Sequence, residues 1–244
     1  MYKGIYIAAS GAVLKQAQLE VISQNLANAN TSGYKRTTIS FKEYLLPQDA
    51  GVSAAPDGRV MSDFSELKTD YSNGTLIRTG NPLDIAVEGD GLIALEGDRY
   101  TRRGDLKRDR EGYLTTSTGA KIQGTGGPIQ IPADSGEITI DAEGKVSVMQ
   151  PGSTLPTEID KIKVMDFGPN ADLVKIGNGE LTTNASGTVS KSALRQGYIE
   201  SSNVDAITEM VRMIESMREF ESYQKAIQTF DDSTAKVNAD MWRV

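Results

Sequence analysis

The sequence contains no histidine and no cysteine. Histidine is the commonest general base and metal ligand, so its absence excludes Ser-His-Asp and Cys-His catalysis and histidine-bound metals. Without cysteine the chain cannot form a disulfide, a thiolate nucleophile, an iron–sulfur cluster or a thiolate zinc site. Carboxylate pairs, which a glycosidase uses, are plentiful, but nothing marks one pair as buried and aromatic platforms for sugars are scarce. We predict a protein that is not an enzyme and that has no catalytic residues, no cofactor and no metal site.

Aromatic residues and positive charge are also scarce. Aromatic side chains make up 6% of the 244 residues, and 26 Lys and Arg stand against 33 Asp and Glu, which gives a net charge of −7. Nucleic-acid binding needs a net basic face, so we predict no nucleic-acid partner. One basic cluster alternates with acidic residues, and we interpret it as a solvated hairpin face. It comprises Arg99, Arg102, Arg103, Lys107, Arg108 and Arg110.

Long apolar runs are absent as well. No run reaches the ~20 residues that cross a bilayer, so we predict no membrane insertion. The first 14 residues have the charge and length of a short signal peptide, but their periodicity continues beyond any plausible cleavage point. We interpret them as part of the mature protein.

The N-terminal segment has the pattern of an amphipathic helix. A stripe with steps of three and four residues runs from Ile5 to Ala29, and only Lys15 interrupts its apolar character. Such a narrow stripe is typical of a coiled-coil seam, and the small residues from Ala8 to Ala12 would let another backbone approach closely. Three Asn follow within residues 25–30, which is more than one helix C-cap needs.

The C-terminal segment predicts a second, longer helix. No Pro or Gly interrupts residues 198–244, which allows a helix of about 40 residues and roughly 60 Å. Ser202 is the predicted N-cap, with Asp205 three residues later. The apolar stripe rotates around this helix, because its steps are all of three residues from Ile214 to Tyr223. We therefore expect several neighbouring helices and not a single partner.

The middle of the chain predicts strands. Residues 36–80 have weak periodicity and indicate an extended connector with one or two strands. From residue 81, short apolar runs and turn signals alternate, as in an antiparallel β domain. The predicted hairpins join Ile85–Val87 to Leu92–Leu95, Leu95 to Tyr100, and Ile138–Ile140 to Lys145–Val148.

The predicted fold class is therefore α+β, with three parts. Long terminal helices pair in a discontinuous, coiled-coil-like helical domain at residues 1–35 and 198–244. An extended connector covers residues 36–80, and a central, all-β antiparallel domain covers residues 81–197. On the residues alone, a secreted β-rich binding module or hydrolase with helical oligomerisation arms stays open as an alternative.

Two end segments carry a resemblance to a known family. Residues 21–36, VISQNLANANTSGYKR, resemble the N-terminal signature of the bacterial flagellar rod and hook proteins. Residues 196–205, QGYIESSNVD, and the long helix after them resemble the C-terminal end of the same family. Residues 80–125 are similar to the family's β domain, so the resemblance covers most of the chain.

The resemblance implies a structural subunit of the flagellar basal-body rod, which crosses the periplasm. It implies export by the flagellar type III apparatus and assembly with copies of itself and other rod subunits into a helical, tubular drive shaft. Within the family, the short connector and the stretch Asn81–Val87 favour a proximal over a distal rod subunit.

The predicted assembly interface combines the helical stripes with polar residues at the two turns. Open helical assembly needs head-to-tail contacts that do not close into a ring. The interface comprises Ile5, Ala8, Ala12, Leu19, Ile22, Asn25, Leu26, Asn28, Asn30, Thr31, Gly33, Tyr34, Asn203, Val204, Asp205, Ile207, Val211, Ile214, Met217, Phe220, Ile227, Phe230 and Val237.

Overall fold

The computed structural model describes residues 2–45, 60–152, 155–168 and 171–241. These residues form an α+β structure with two long helices and antiparallel strands, as the sequence predicts. The elements are α1 (Tyr2–Ala27), β1 (Thr37–Leu45), β2 (Val60–Thr69), β3 (Leu76–Arg78), β4 (Ile85–Glu88), β5 (Leu92–Leu95), β6 (Arg99–Thr101), β7 (Leu106–Arg108), β8 (Leu114–Thr116), β9 (Ile138–Ile140), β10 (Lys145–Val148), β11 (Thr157–Lys161), β12 (Val164–Asp166), β13 (Val174–Gly177), β14 (Glu180–Thr182), β15 (Thr188–Val189), β16 (Ala193–Gln196), β17 (Tyr198–Glu200) and α2 (Ala206–Met241).

The chain divides into two compact units. The first unit consists of Met1–Ala29, Arg36–Asp70 and Val204–Val244, and the second of Asn30–Lys35 and Tyr71–Asn203. Each unit is therefore built from separate stretches of the chain. The three-part division at residues 35, 80 and 198 stays a prediction, and residues 46–59 of the predicted connector lie outside the described residues.

In the first unit, α1 and α2 pack against each other in opposite directions. The ring of Phe230 lies over Gly4, and the ring of Tyr223 lies over Gly11. A Cβ atom on Gly4 would come within 2.9 Å of the Phe230 ring, and one on Gly11 within 2.7 Å of the Tyr223 ring. One turn further along α1, Lys15 forms an ion pair with Glu219. The small residues of α1 thus accept aromatic side chains, while coiled-coil geometry stays a prediction.

The N-terminus of α2 differs from the prediction. Asp205 is the N-cap, since its carboxylate accepts a 2.6 Å hydrogen bond from the backbone N–H of Thr208. The predicted cap Ser202 lies between β17 and α2, four residues before the helix begins, and the next residue, Asn203, donates its N–H to the carbonyl of Tyr34. The prediction at Ser202 was wrong because a second capping residue stands three positions later and is free to bond the first turn.

A two-stranded ribbon completes the first unit. Strands β1 and β2 pair from Thr37 opposite Thr69 to Leu45 opposite Val60, and the register shifts between Ser40 and Phe41. The ribbon shares the unit with the two helices.

The second unit contains the β sheets. Its largest sheet has the strand order β13-β14-β6-β5-β12-β15, and a three-stranded sheet has the order β11-β10-β9. Strands β16-β4, β17-β3 and β7-β8 form separate pairs, and all pairings are antiparallel. Buried aliphatic side chains, such as Ile93, Leu114 and Val146, form one core. In β10 the buried Val146 and Val148 alternate with half-buried residues, as in a strand with one face on a core.

Two of the predicted hairpins are confirmed and one is wrong. Strand β5 pairs with β6, and β9 pairs with β10. Strand β4, however, pairs with β16 and not with β5. The guanidinium group of Arg102 explains the difference, because it binds the carbonyl oxygens of Val87, Gly89 and Gly91 and so occupies the turn that would join β4 to β5.

Candidate functional site

An exposed apolar stripe runs along the first three turns of α2. Its members are spaced by three or four residues or are adjacent, so they share one face of the helix. Each has between 45% and 72% of its surface exposed. We call this the outer stripe, and it consists of Ile207, Met210, Val211, Ile214 and Met217. A contiguous apolar face of this kind marks an interaction surface more often than a single exposed apolar residue does.

The opposite face of α2 lies inside the first unit. Glu209 and Ser216 are buried, and Met213, Phe220 and Tyr223 are half-buried. The carboxylate of Glu209 lies 2.8 Å from Nε of Arg36. The apolar residues of α2 therefore lie on two faces. One face packs inside the first unit, and the other is the exposed outer stripe.

Helix α1 also has two apolar faces. Ala8, Ala12 and Ile22 of the predicted stripe are buried. Tyr6, Ile7 and Val13 are exposed and lie outside that stripe. Sequence reasoning missed these three because it looked for a single seam, although the seven-residue spacing of Tyr6 and Val13 is itself a helical signal.

The predicted interface residues differ widely in exposure. Those that are buried are Ala8, Ala12, Ile22, Asn25, Gly33, Tyr34 and Val204. Those that are half-buried are Ile5, Leu19, Leu26, Asn28, Thr31, Asn203, Phe220 and Ile227. Those that are exposed are Asn30, Asp205, Ile207, Val211, Ile214, Met217 and Phe230. The side chain of Val237 lies outside the described residues.

Asn25 joins the end of α1 to the start of β1 within the first unit. Its amide N–H donates a 2.8 Å hydrogen bond to the carbonyl of Thr37, and its amide oxygen accepts a 2.9 Å hydrogen bond from the N–H of Thr37. The side chain thus mimics a neighbouring strand, and it is 1% exposed. The side-chain amide of Asn28, in contrast, donates a 2.9 Å hydrogen bond to the carbonyl of Gln24 on its own helix.

Replacing Asn25 with Ala should destabilise the first unit by about 2–4 kcal/mol, because the change leaves two buried backbone groups of Thr37 without their partner. Urea unfolding monitored by hydrogen exchange of α1 amides measures the change in the free energy of unfolding. Asn28→Ala is the matched control and should cost about 1 kcal/mol or less. Equal losses for the two variants would contradict the role of Asn25.

In the second unit, the last residues of the N-terminal signature bond residues of the C-terminal motif. The N–H of Gly33 donates to the carbonyl of Glu200 at 2.8 Å, and the N–H of Asn203 donates to the carbonyl of Tyr34 at 3.3 Å. Ser32 donates its hydroxyl to Asp105 at 2.8 Å. The two motifs, far apart in sequence, therefore meet inside one unit.

A buried charge cluster lies at this meeting point. It consists of Lys35, Arg102 and Glu200, which are 6%, 4% and 1% exposed. One carboxylate oxygen of Glu200 accepts from Nζ of Lys35 at 2.7 Å and from the N–H of Gly74 at 2.8 Å. The other accepts from Nε of Arg102 at 2.5 Å. One anion thus serves two cations. The other donors of Arg102 bond the carbonyl oxygens of Val87, Gly89 and Gly91 and the side-chain oxygen of Asn73.

Electrostatics keep the nearby carboxyl groups ionised. Burial alone would raise the pKa of Glu200, but the charge of Arg102 and the hydrogen bonds from Lys35, Arg102 and Gly74 lower it. Burial would likewise raise the pKa of Asp105, yet hydrogen bonds from Arg103, Ser117 and Ser32, together with the charge of Arg103, lower it to about 2. Both groups are therefore anions at neutral pH.

The charge cluster corrects one prediction and adds residues that sequence reasoning missed. Arg102 was interpreted as part of a solvated hairpin face, but it is buried and paired. The alternation of basic and acidic residues around it hides this, since Arg102 pairs with a residue 98 positions away. Lys35 and Glu200 lie within the two motifs that resemble the family. Their place in these motifs is the sequence signal that could have identified them as functional residues.

The described residues offer no arrangement for metal chemistry. Within them, no three Asp or Glu side chains gather as metal ligands would. The glycine-rich turn at residues 124–127 is filled by the chain itself, because the carboxylate of Asp160 accepts hydrogen bonds from the N–H groups of Thr125 and Gly126. Neither helix, over its described length, combines the length and the apolar character that a bilayer requires.

Comparison with known proteins gives matches along the whole chain. Residues 5–35 match the family described as flagella basal body rod protein. Residues 86–148 match the flagellar hook protein FlgE/F/G D1 domain, and residues 195–239 match the flagellar basal body rod FlgEFG protein C-terminal region. The basal-body rod protein FlgG of Bacillus subtilis is 33% identical over 95% of this chain and 96% of its own. The chain belongs to the flagellar basal-body rod protein family.

Other relatives in the family have either of two names. FlgG of Agrobacterium fabrum is 30% identical over 98% of this chain and 99% of its own length. FlgF of Escherichia coli is 30% identical over 98% of both chains. This rod protein is a structural component of the flagellar basal body, and the prediction that it is not an enzyme is confirmed by its family.

The three matched regions of this rod protein each contribute one member of the charge cluster. Lys35 ends the first matched region, Arg102 lies in the second and Glu200 lies in the third. The cluster is thus a place where side chains from all three parts of the family pattern make contact.

Proposed function

We propose that this rod protein is a proximal rod subunit of the FlgF type, which the flagellar type III apparatus exports and which assembles into the helical drive shaft. The short segment between the signature and the β strands, with the stretch Asn81–Val87, supports the proximal assignment. A distal subunit of the FlgG type is the second candidate, because relatives named FlgG align over nearly the full chain.

The outer stripe carries the proposal of helical assembly. Its five apolar side chains face solvent in the single chain, so burying them against a neighbour would be favourable. The exposed Tyr6, Ile7 and Val13 give α1 a second apolar face. Two different apolar faces on one subunit permit head-to-tail contacts. Such contacts generate an open helical array when the rotation from one subunit to the next does not close a ring.

Charge favours contact between the outer stripe of one copy and the exposed face of α1 in the next. By sequence, helix α1 contains two lysines and one glutamate, whereas α2 contains more acidic than basic residues. The interface residues that are buried in the single chain, such as Ala8 and Asn25, act in this proposal by shaping the first unit. They need not touch a neighbour.

Position along the rod distinguishes the two candidates. An epitope tag in the exposed turn after Ala185 can be located by immunogold electron microscopy of isolated basal bodies. A proximal subunit places the label at the end of the rod nearest the cytoplasmic membrane. Label along the outer part of the rod would instead support the FlgG type. Absence of the tagged chain from basal bodies, with motility retained in cells that lack the gene, would overturn rod assembly.

A further inference from the structure

We propose that the charge cluster is a latch, closed by Glu200, that lets the second unit complete its fold only when both ends of the chain have arrived. The inference rests on the proposed function in one respect, because it gives an exported chain a reason to fold late. The latch itself follows from the geometry of Lys35, Arg102 and Glu200.

Burial of Lys35 and Arg102 depends on the charge of Glu200. Lys35 and Arg102 are both almost fully buried, and Glu200 is the carboxylate that both contact. A buried cation without a counter-ion is strongly unfavourable, and two of them near each other add repulsion. Before Glu200 is in place, the unit therefore cannot bury Lys35 and Arg102 at low cost. Glu200 follows both cations in the sequence, and its single carboxylate neutralises both when it binds.

The partners of the latch lie far apart along the chain. Lys35 and Glu200 are 165 positions apart, so nearly the whole unit lies between them. The same order holds for the strands, because β17 pairs with β3 and β16 pairs with β4. Strands from the first part of the unit thus lack both their backbone partners and their counter-ion until residues 193–203 are available. Long-range pairing of this kind makes folding slow and cooperative.

The consequence is a unit that closes in one step. A chain that enters a narrow export channel must be unfolded, and one that emerges gradually is open to misfolding of its first strands. The latch reduces that risk because burial of Lys35 and Arg102 waits for Glu200. Closure also pulls residues 30–35 and 198–203 together, next to the points where the chain enters the first unit.

Charge variants of the full-length chain test the latch. Native-state hydrogen exchange at the amides of Ile93 and Leu114 reports opening of the second unit. Glu200→Gln should increase opening roughly 100-fold or more, because it leaves two buried cations together. Lys35→Met should have a clearly smaller effect, since it leaves the balanced pair of Arg102 and Glu200. Lys35→Met combined with Glu200→Gln should open no more than Glu200→Gln alone.

An exposed ion pair provides the matched control. Glu88 and Arg195 lie 2.6 Å apart at the surface, with exposed fractions of 40% and 48%. Glu88→Gln should change opening by less than about fivefold, as for other surface pairs. Equal effects of Glu88→Gln and Glu200→Gln, or a larger effect of Lys35→Met than of Glu200→Gln, would overturn the latch.

Refolding of the wild-type chain tests the single closing step. Pulse-labelling hydrogen exchange during refolding should show that amides in β5, β8 and β17 become protected in the same phase. Protection of β5 and β8 well before β17 would contradict the proposal. These measurements use the isolated chain, so failure of the proposed rod function would appear separately, as absence from basal bodies with unchanged refolding.

Discussion

A chain with Ile214→Asp should fold as stably as the wild type but should not enter the rod. Ile214 is 53% exposed, so the change loses little burial in the single chain and should alter the free energy of unfolding by about 0.5 kcal/mol or less. In the assembled rod, the new carboxylate would be buried in an apolar interface, which is costly for an unpaired charge. The amount of the variant in purified basal bodies, measured by quantitative immunoblot, should fall below detection, and swimming motility should be lost.

A second aliphatic residue provides the control for this experiment. Val189 lies at the edge strand β15 and is 71% exposed, but it does not belong to the outer stripe. Val189→Asp introduces the same charge at a more exposed aliphatic position and should be incorporated normally. Normal incorporation of Ile214→Asp, or equal loss of both variants, would count against the outer stripe as an interface.

Replacing Gly33 with Ala should destabilise the second unit by about 3 kcal/mol or more. Gly33 has a φ of 66°, a left-handed conformation that costs an Ala roughly 1 kcal/mol. An added Cβ would also lie 2.5 Å from the carbonyl carbon of Arg102, so backbone must shift, at a further cost of about 1–3 kcal/mol. The shift would disturb the hydrogen bond from Gly33 to Glu200. Urea unfolding monitored by circular dichroism measures the change in the free energy of unfolding.

Gly80 separates the two causes. It has a φ of 75°, but no atom lies within 4 Å of the position that its Cβ would occupy. Gly80→Ala should therefore lose only the conformational part, about 1 kcal/mol. If Gly33→Ala and Gly80→Ala were equally destabilising, the close packing of the signature against Arg102 would have no energetic importance.

Local signals explain the part of the fold that the sequence predicts well. The stripes of α1 and α2 repeat every three or four residues over many turns, and such periodicity survives any tertiary arrangement. The hairpins β5–β6 and β9–β10 are also local, because the turns between Leu95 and Arg99 and between Ile140 and Lys145 are short. The α+β class and the antiparallel sheets follow from these elements.

Non-local contacts explain the features that could not be predicted from the sequence. The pairing of β4 with β16 and the contact of Arg102 with Glu200 join residues about 100 positions apart. No composition rule distinguishes the buried Arg102 from its solvated neighbours. The N-cap of α2 was predicted wrongly for a different reason. Ser202 and Asp205 are both good N-cap residues, and the bond from Asn203 to Tyr34 holds the chain beside Ser202 outside the helix.

The interface prediction had a similar limit. The periodicity placed Ile22 and Ile214 alike in an interface stripe. The structure, however, buries Ile22 in the first unit and leaves Ile214 exposed. Periodicity indicates which residues share a face, but it does not say whether that face packs inside the chain or against a neighbour.

Thiol labelling at position 214 tests the central claim most directly, because the chain has no native cysteine. An Ile214→Cys chain should react rapidly with a maleimide as a monomer and should become protected in isolated basal bodies, whereas Ala185→Cys should react rapidly in both. Rapid reaction of position 214 in rods that contain the subunit would contradict assembly through the outer stripe.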